Sequence, residues 1–197
     1  QNAAKRSVDL VGAIVGLVLL GLPMLLIGAA VRLTSDGPAL FRQLRAGRDG
    51  RPFQILKYRT MTKGSEDLRD GLRLEVGHDE PAFKLRDDPR VTPLGRFLRR
   101  WSLDELPQLI NVLRGDMTLV GPRPHPLDDV TRYRNEDHRR LLVRPGMTGL
   151  WQVAGRSSLP WGDGVKLDLY YIETWSLAGD LVLLARTVKA VLSGHGA

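Results

Sequence analysis

An uncharged apolar run of 22 residues, from Leu10 to Val31, constrains this chain more than any other feature. About 20 consecutive apolar residues are enough to cross the hydrocarbon core of a bilayer as a helix. A cleaved signal peptide has a shorter apolar segment of about 7–15 residues. A helix buried in a soluble core rarely runs this far without a polar side chain. We therefore expect a membrane-inserted helix.

Two features bear on how this helix meets the membrane. Pro23 lies near its middle, where proline removes a backbone donor and bends a helix. Basic residues flank both ends, and the positive-inside rule places such residues on the cytoplasmic side. A re-entrant helix that breaks at Pro23 and returns to the same face satisfies both flanks; a plain span is the alternative. The flanking residues are Lys5 and Arg6 before the run, and Arg32, Arg42, Arg45 and Arg48 after it.

The chain as a whole is strongly basic. Its 197 residues suffice for one domain, or for a small domain with an attached element, and they carry a formal net charge of +7 at pH 7. This charge favours polyanionic partners: nucleic acid, anionic lipid headgroups or phosphorylated substrates. The sequence has no cysteine, which excludes a disulfide framework and cysteine-based zinc or iron–sulfur sites.

Beyond the apolar run, the pattern predicts an α+β fold that is mostly helical. Residues 41–61 are predicted to form a β-hairpin, because Asp49-Gly50 separates two alternating segments. Helices are predicted over 94–100, amphipathic and basic, and over 108–113, ended by Arg114-Gly115. The remaining predictions are a short helix and mobile loop over 63–90, a proline-bound loop at VGPRPHP, a charged helix over 127–142, a turn and strand at RPGMTGLWQVAGR, and one or two helices over 165–192 broken at Ala178-Gly179.

An adjacent carboxylate pair, Asp104-Glu105, precedes a proline and an apolar helix. One interpretation is structural: Ser102 and Glu105 form a capping-box pattern, or Asp104 caps the helix and places Pro107 in its first turn. The other is functional, because two acids among arginines suit metal-assisted phosphoryl transfer, with one carboxylate holding Mg²⁺ and the other acting as nucleophile. Guanidinium groups recognise phosphate through a planar fork of N–H donors. The surrounding arginines are Arg96, Arg99, Arg100, Arg114, Arg123 and Arg156.

Other catalytic motifs are missing from the sequence. Neither G-x-G-x-x-G nor G-x-x-x-x-G-K-[ST] occurs, so no Rossmann fingerprint and no P-loop is predicted. The four histidines, His78, His125, His138 and His195, lie far apart and form no close metal-binding pair. Each is expected at the surface or in a loop, and the histidine of the PRPHP segment is the one of most interest.

Several long segments, in order, resemble the bacterial sugar transferase family, the monotopic polyprenyl-phosphate phosphoglycosyl transferases. They are KRSVDL with the apolar run, GPALFRQLRAGRDGRPFQILKYRTM, RVTPLGRFLRRWSLDELPQLINVLRGDMTLVGPRP, RPGMTGLWQVAGR and DLYYIETWSLAGDLVLLARTV. Only about residues 63–85 and 125–143 lie outside them. GLWQVAGR and the long C-terminal helix are most similar to the catalytic domain of the larger exopolysaccharide, capsule or O-antigen members. Those members carry further N-terminal membrane helices and another domain, which we expect upstream of Gln1.

The resemblance implies transfer of a phosphosugar from a UDP-sugar to undecaprenyl phosphate, with release of UMP. The reaction would take place at the cytoplasmic face of the bacterial inner membrane, as the first membrane step of exopolysaccharide, capsule or O-antigen synthesis. Residues 1–33 would be a re-entrant anchor and residues 34–197 the catalytic domain, with amphipathic helices at the interface. The expected partners are the donor, the lipid acceptor and the membrane. Nucleic acid is not expected, a homo-oligomer is left open, and the sugar is not predicted.

The resemblance also assigns residues. Asp104 would be the nucleophile that attacks the β-phosphate, forming a covalent aspartyl-phosphosugar, and Glu105 would bind Mg²⁺, the cofactor implied. Pro23 matches the break in the family's membrane helix, although Leu22 stands where smaller members have serine. The positions that would contact substrate phosphates, or line the site around them, are Lys57, Arg59, Arg99, Arg123 and Arg156.

Two other classes of function explain parts of the sequence. A basic peripheral protein that binds anionic lipid or nucleic acid without chemistry accounts for the charge and the apolar run. It does not account for an acid pair among arginines. An anchored scaffold that recruits a pathway enzyme through the apolar stripe of 165–192 predicts no turnover with any UDP-sugar. Turnover by the purified protein, and its loss in Asp104→Asn, separates both from an enzyme.

Overall fold

One long helix, α1 (Ala3–Thr34), carries the apolar run. The computed structural model describes residues 3–65, 88–155 and 159–193, together with the single residues 68, 71, 81 and 85. Among these residues, α1 is the one helix long and apolar enough to cross a membrane. It continues through Pro23 as a helix instead of being interrupted there, so the re-entrant topology stays a prediction.

A β-hairpin follows α1, as the sequence predicted. Strand β1 (Leu40–Ala46) pairs antiparallel with β2 (Pro52–Tyr58), from Leu40 opposite Tyr58 to Ala46 opposite Pro52. A single 3₁₀ turn, Arg48–Gly50, joins the strands. Within it Asp49 and Gly50 have φ of 57° and 74°, a left-handed conformation that Asp and Gly adopt more readily than most residues.

Two short helices precede and follow the acid pair. Helix α2 (Pro93–Arg100) begins where the Thr92 hydroxyl accepts a hydrogen bond from the Gly95 amide at 2.9 Å. Helix α3 (Gln108–Arg114) ends at Gly115, whose φ is 88°. Both helices agree with the sequence prediction to within one residue, because a threonine cap with proline at the first helical position and a left-handed glycine are reliable end signals.

The C-terminal half is helical around one small sheet. Strand β3 (Thr118–Val120) pairs parallel with β4 (Gly146–Thr148). The helices of this half, in chain order, are α4 (Leu127–Val130), the 3₁₀ helix Asp137–Leu142, α5 (Leu150–Ala154), α6 (Trp161–Glu173) and α7 (Leu177–Leu192).

Three predictions in this half need correction. Residues 127–142 form two short helical pieces and not one charged helix, because Asp129, Asp137 and Arg140 are buried and not solvated. The RPGMTGLWQVAGR segment contains the predicted strand, as β4, but continues into helix α5, which was not predicted, since a short apolar run does not distinguish helix from strand. The break before α7 lies at 174–176 instead of at Ala178-Gly179, because the Ser176 hydroxyl caps the Gly179 amide at 3.1 Å.

Polar side chains in the first turns of α1 contact the rest of the domain. Lys5 forms an ion pair with Asp180 of α7 at 2.5 Å, and each side chain is 4 % exposed. Arg6 donates to the carbonyls of Val112 and Leu113 at the end of α3, at 2.6 and 2.9 Å. The KRSVDL segment therefore fixes the helix to the domain.

Helix α1 contacts the domain along both of its halves. In its first half, Ala13 packs in a core cluster with Ile55 and Leu109. In its second half, Val31 packs with Tyr58 and Leu98. The opposite face is apolar and open, with more than three-fifths of each of these side chains exposed: Val11, Val18, Leu19, Leu22, Leu25, Leu26 and Leu33.

Several predicted features lie outside the described residues. Most of the predicted helix and loop over 63–90 is among them, as are His78, His195 and Arg156.

Candidate active site

Asp104 and Glu105 occupy a single 3₁₀ turn, Leu103–Glu105, between α2 and α3. Ser102, which precedes the turn, has φ of 53° and no side-chain capping bond. The capping-box interpretation is therefore wrong, and so is Asp104 as the cap of α3, because Pro107 occupies the capping position. A left-handed serine costs about 1 kcal/mol; this strain lies two residues before Asp104.

Two cations from different elements converge on Glu105. Lys57 Nζ, from β2, donates to Glu105 Oε1 at 2.8 Å, and a guanidinium nitrogen of Arg123, from the loop after β3, donates to the same oxygen at 2.7 Å. The side chains of Glu105 and Lys57 are 19 % and 15 % exposed, whereas that of Arg123 is 39 % exposed. The fold thus brings together three of the predicted site residues, which lie far apart in the chain.

The charges of this cluster depend on each other. Burial opposes ionisation of Glu105, but Arg123 and Lys57 outweigh it and hold the pKa of this carboxyl well below its usual range. Burial lowers the pKa of the Lys57 ammonium, and Glu105 opposes that shift. Glu105 in turn raises the pKa of the Arg123 guanidinium. Glu105 is therefore a fixed anion between two cations, not a proton donor.

Asp104 has a different environment from its neighbour. It is buried, and burial together with the charge of Glu105 raises the pKa of its carboxyl; Lys57 and Arg99 oppose the shift. Within the part of the chain that the structure describes, no side chain donates a hydrogen bond to this carboxylate. A desolvated carboxylate without hydrogen-bond donors is a better nucleophile than a solvated one, because its charge is less dispersed.

Arg99 lies on the Asp104 side of the cluster. It lies in the last turn of α2, its Nε donates to the Thr60 hydroxyl at 2.9 Å, and burial lowers the pKa of its guanidinium. Gly95 permits this placement, because a Cβ at residue 95 would collide with the Thr60 carbonyl. The close contact between α2 and the end of the hairpin therefore positions a cation next to the nucleophile candidate.

Two predicted site residues lie elsewhere, and a third is not described. Arg59 donates to the carbonyls of Ser35 and Gly37 at 2.8 and 3.0 Å, so it holds the chain that leaves α1. Pro23 lies within α1, next to Met24, whose carbonyl accepts a hydrogen bond from the Tyr58 hydroxyl at 2.6 Å. Arg156 is outside the described residues. The roles of all three stay predictions.

The acid pair also fits a magnesium ion. Mg²⁺ takes one or two carboxylates and completes its coordination with water and substrate phosphates. Among the described residues, no group of three or more acidic, histidine or cysteine side chains forms a closed metal site. Glu105, ionised and with both its cationic partners on one oxygen, is the residue that would hold the ion, with Asp104 beside it.

Sequence reasoning missed a second polar cluster behind Arg123. His125 was expected at the surface or in a loop; it lies in a loop but is buried, with Nδ1 2.8 Å from the Tyr133 hydroxyl. Arg140 and Asp168 form an ion pair whose side chains are 2 % and 1 % exposed. The PRPHP motif was a signal for the histidine, whereas nothing in the sequence linked Arg140 to Asp168, 28 residues later.

Comparison with known proteins adds the family. The profile of the family described as "Bacterial sugar transferase" matches residues 1–194. The galactosyl transferase CpsE of Streptococcus agalactiae is 44 % identical over 98 % of this chain and 43 % of its own length. The undecaprenyl-phosphate galactose phosphotransferase of Salmonella typhimurium is 42 % identical over 98 % of this chain and 41 % of its own length. For the UDP-glucose:undecaprenyl-phosphate glucose-1-phosphate transferase of Caulobacter vibrioides the identity is 46 %, over 98 % of this chain and 71 % of its own length.

The chain thus spans about two-fifths of the length of the first two relatives and most of the third. The family match and the names of the relatives confirm the expectation of a transferase, and the long apolar helix agrees with membrane association. The predicted family is confirmed as well: the chain belongs to the bacterial sugar transferase family.

Proposed function

We propose that this protein transfers a phosphosugar from a UDP-sugar to undecaprenyl phosphate, giving undecaprenyl-diphosphate-sugar and UMP. The observation that carries the proposal is the contrast within the acid pair: a buried Asp104 to which none of the described residues donates a hydrogen bond, beside a Glu105 fixed by two cations. The names of the Salmonella and Caulobacter relatives support the choice of donor and acceptor.

The first half of the reaction uses Asp104 as nucleophile. Its carboxylate oxygen attacks the β-phosphorus of the donor and forms an aspartyl-phosphosugar. The bond from that phosphorus to the bridging oxygen breaks, and UMP leaves with the electron pair. The cations Arg99, Lys57 and Arg123 stabilise charge on the phosphoryl oxygens and the leaving group. Glu105 would hold Mg²⁺, which would supply Lewis-acid neutralisation of the pyrophosphate charge.

The second half regenerates the enzyme. An oxygen of the polyprenyl phosphate attacks the phosphorus of the adduct, and the Asp104 carboxylate leaves with the electron pair of the bond that breaks. The two anionic substrates use one cationic site in turn, so their charges never have to be accommodated together. The site therefore needs access both to the aqueous donor and to the membrane interface.

The membrane topology belongs to the same proposal. Both ends of helix α1 pack against the same domain. Lys5 and Val31, 26 residues apart in the helix, are both buried there. A plain span would carry one end of the helix away from the domain, since 26 residues rise about 39 Å. We place α1 as a re-entrant helix at the cytoplasmic face of the inner membrane. Helix α2, with exposed Phe97 between Arg96 and Arg100, lies at the headgroups.

Intact-protein mass spectrometry tests the covalent step. The protein is incubated with Mg²⁺ and a panel of UDP-sugars without lipid acceptor, alongside Asp104→Asn and the control Asp163→Asn. Asp163 is an exposed acid paired with exposed Lys166. A mass gain of one phosphosugar is expected in wild type and control only.

Other results of this experiment have distinct meanings. If no adduct forms but lipid-linked product appears when acceptor is added, transfer is direct and Asp104 is not the nucleophile. If neither adduct nor product appears with any donor, the enzyme proposal fails in favour of a lipid-binding or scaffold protein.

A further inference from the structure

Arg140 connects four parts of the fold. It lies in the 3₁₀ helix Asp137–Leu142, and its Nε donates to Asp168 of α6 at 2.8 Å. A second guanidinium nitrogen donates to the Tyr133 hydroxyl at 2.8 Å and lies 3.2 Å from His125 Nδ1. The third also bonds Asp168 and donates to the carbonyl of Arg123 at 3.2 Å. All three nitrogens are therefore used.

Two of these contacts go to the short loop that carries Arg123. Burial and the charge of Arg140 lower the pKa of His125 well below its usual range. The Arg140 nitrogen that faces Nδ1 can only donate, so Nδ1 is the acceptor of this contact. On the other side of the loop, strand β1 supplies two further bonds: Arg45 donates to the Pro124 carbonyl and the Ala46 amide to the His125 carbonyl, both at 3.0 Å.

Two donors of Arg140 are directed at the loop that carries Arg123. A guanidinium has five N–H donors, and Asp168 takes two of them. Another goes to the backbone of the residue whose side chain donates to Glu105 at 2.7 Å. Prolines at 122, 124 and 126 restrict the backbone of the same loop. The Arg123 guanidinium itself is more than a third exposed, so its aim depends on how firmly its backbone is held.

We propose that Arg140 is a positioning residue for the transfer reaction. It fixes the 122–126 loop so that the Arg123 side chain meets Glu105 and the leaving phosphate in one orientation. The inference rests on the proposed function for the reaction itself. The placement of the loop is a separate matter that can be measured without any substrate.

The kinetic test is a double-mutant cycle between Arg140→Lys and Arg123→Ala. Lysine keeps a charge opposite Asp168 but lacks the planar fork that reaches several acceptors. The readout is the single-turnover rate of UMP release at saturating donor. We expect Arg140→Lys to slow release by about tenfold or more in the wild-type background, and by less than about threefold in the Arg123→Ala background, because the two residues act as one unit.

Two controls separate positioning from loss of stability. Asp180→Asn removes a buried ion pair of similar burial elsewhere in the domain, and Arg139→Gln removes an exposed pair with Glu173. Both variants are expected to release UMP at the wild-type rate at temperatures below their unfolding midpoints. An equal fold loss from Arg140→Lys in both Arg123 backgrounds would overturn the proposal, since a general structural defect adds independently.

Hydrogen exchange of the Ala46 amide, which donates to the His125 carbonyl at 3.0 Å, gives the substrate-free measurement. Faster exchange of this amide is expected in Arg140→Lys and not in Asp180→Asn; unchanged exchange in Arg140→Lys overturns the proposal. If wild type releases no UMP with any donor, the proposed function fails, while the exchange data still decide whether Arg140 holds the loop.

A second pair of variants serves if Arg140→Lys unfolds below the assay temperature. His125→Asn keeps an acceptor near the position of Nδ1, whereas His125→Leu does not. Slower UMP release and faster exchange are expected for the leucine variant only; equal behaviour of the two contradicts a role for this contact.

Discussion

Adjacent carboxylates in this site have opposite effects on folding stability. Asp104 is buried with an anion beside it and a raised pKa, so its charge destabilises the folded state at neutral pH. Glu105 has a lowered pKa because two cations bind one of its oxygens, so its charge stabilises the folded state. A pair of structural acids would not be expected to differ in this way, whereas a nucleophile beside a fixed anion would.

Neutral amide variants therefore change stability in opposite directions. At pH 7 we expect Asp104→Asn to raise the unfolding midpoint. Glu105→Gln should lower the free energy of unfolding by about 3 kcal/mol, since two cations lose their partner. The gain from Asp104→Asn shrinks as pH falls through the raised pKa of Asp104, where the folded carboxyl takes up a proton. The penalty of Glu105→Gln is complete above about pH 4. It shrinks as the pH falls further, because the unfolded glutamate then takes up a proton.

Thermal unfolding from pH 7 to below about pH 4, followed by circular dichroism, measures the change in stability of both variants. An unfolding midpoint of Asp104→Asn below that of wild type at pH 7 would contradict the argument that the buried charge of Asp104 destabilises the folded state. Asp163→Asn, at an exposed acid, is the control and should leave the midpoint unchanged.

At the scale of residues, the sequence predicted neighbours in the chain better than contacts between distant residues. Asp104 and Glu105 were visible as a pair, and Lys57 and Arg123 through the resemblance. The network behind Arg123 was not visible, because Arg140 stands in a charged stretch of the kind that usually covers a solvated helix face. Only the folded chain shows that it meets Asp168 in the interior.

At the scale of elements, strand β2 links α1 to the candidate active site. Successive side chains of a strand point to opposite faces. Lys57 accordingly reaches Glu105 while Tyr58 packs on α1 and donates to the Met24 carbonyl at 2.6 Å. The Asn111 side chain of α3 holds the strand from the side: its amide oxygen accepts from the Leu56 amide at 3.0 Å, and its nitrogen donates to the Gln54 carbonyl at 2.7 Å.

Removal of the Tyr58 hydroxyl tests the contact with α1. Tyr58→Phe keeps the ring in its core cluster and loses one partly buried hydrogen bond, so a loss of about 1 kcal/mol is expected, or about 2–4 °C in the unfolding midpoint for a chain of this size. Tyr170→Phe, at an exposed tyrosine of α6, is the matched control. Equal midpoints for Tyr58→Phe and wild type would show that the hydroxyl does not secure α1.

The elements that the sequence predicted correctly have local end signals. The hairpin turns at Asp49-Gly50, and α3 ends at a left-handed Gly115. The elements that it missed lack such signals: in the short helices of 127–142, the charged residues Asp129, Asp137 and Arg140 are buried instead of solvated. Tertiary contacts decide these boundaries, and a pattern of charges along the chain does not record them.

At the scale of the molecule, a buried ion pair joins the first turns of the chain to its last helix. Lys5 contacts Asp180 of α7, and Asp180 also accepts hydrogen bonds from Tyr171 and Trp175 at 2.8 and 3.0 Å. Asp180→Asn keeps an acceptor oxygen for one of these two donors and leaves the Lys5 ammonium uncompensated. We expect it to cost about 3 kcal/mol.

Neutralising both partners should recover most of that loss. Lys5→Met with Asp180→Asn removes the uncompensated charge, so the double variant should be more stable than Asp180→Asn alone. Thermal or urea unfolding of the two single variants and the double variant measures the coupling. Additive losses would mean that the ion pair does not fasten α1 to α7.

The topology of α1 gives the prediction with the widest consequence. The helix is fixed to the domain at Lys5 and again at Val31, so both of its ends should lie on the cytoplasmic side. The chain has no native cysteine, so single cysteines at exposed Ser7 and Asp36 can report each end separately. An impermeant maleimide should label both positions in inside-out vesicles and neither in intact spheroplasts. Labelling of the two positions from opposite sides would establish a plain span, and with it an orientation in which the contacts of Lys5 and Val31 with one domain could not both form.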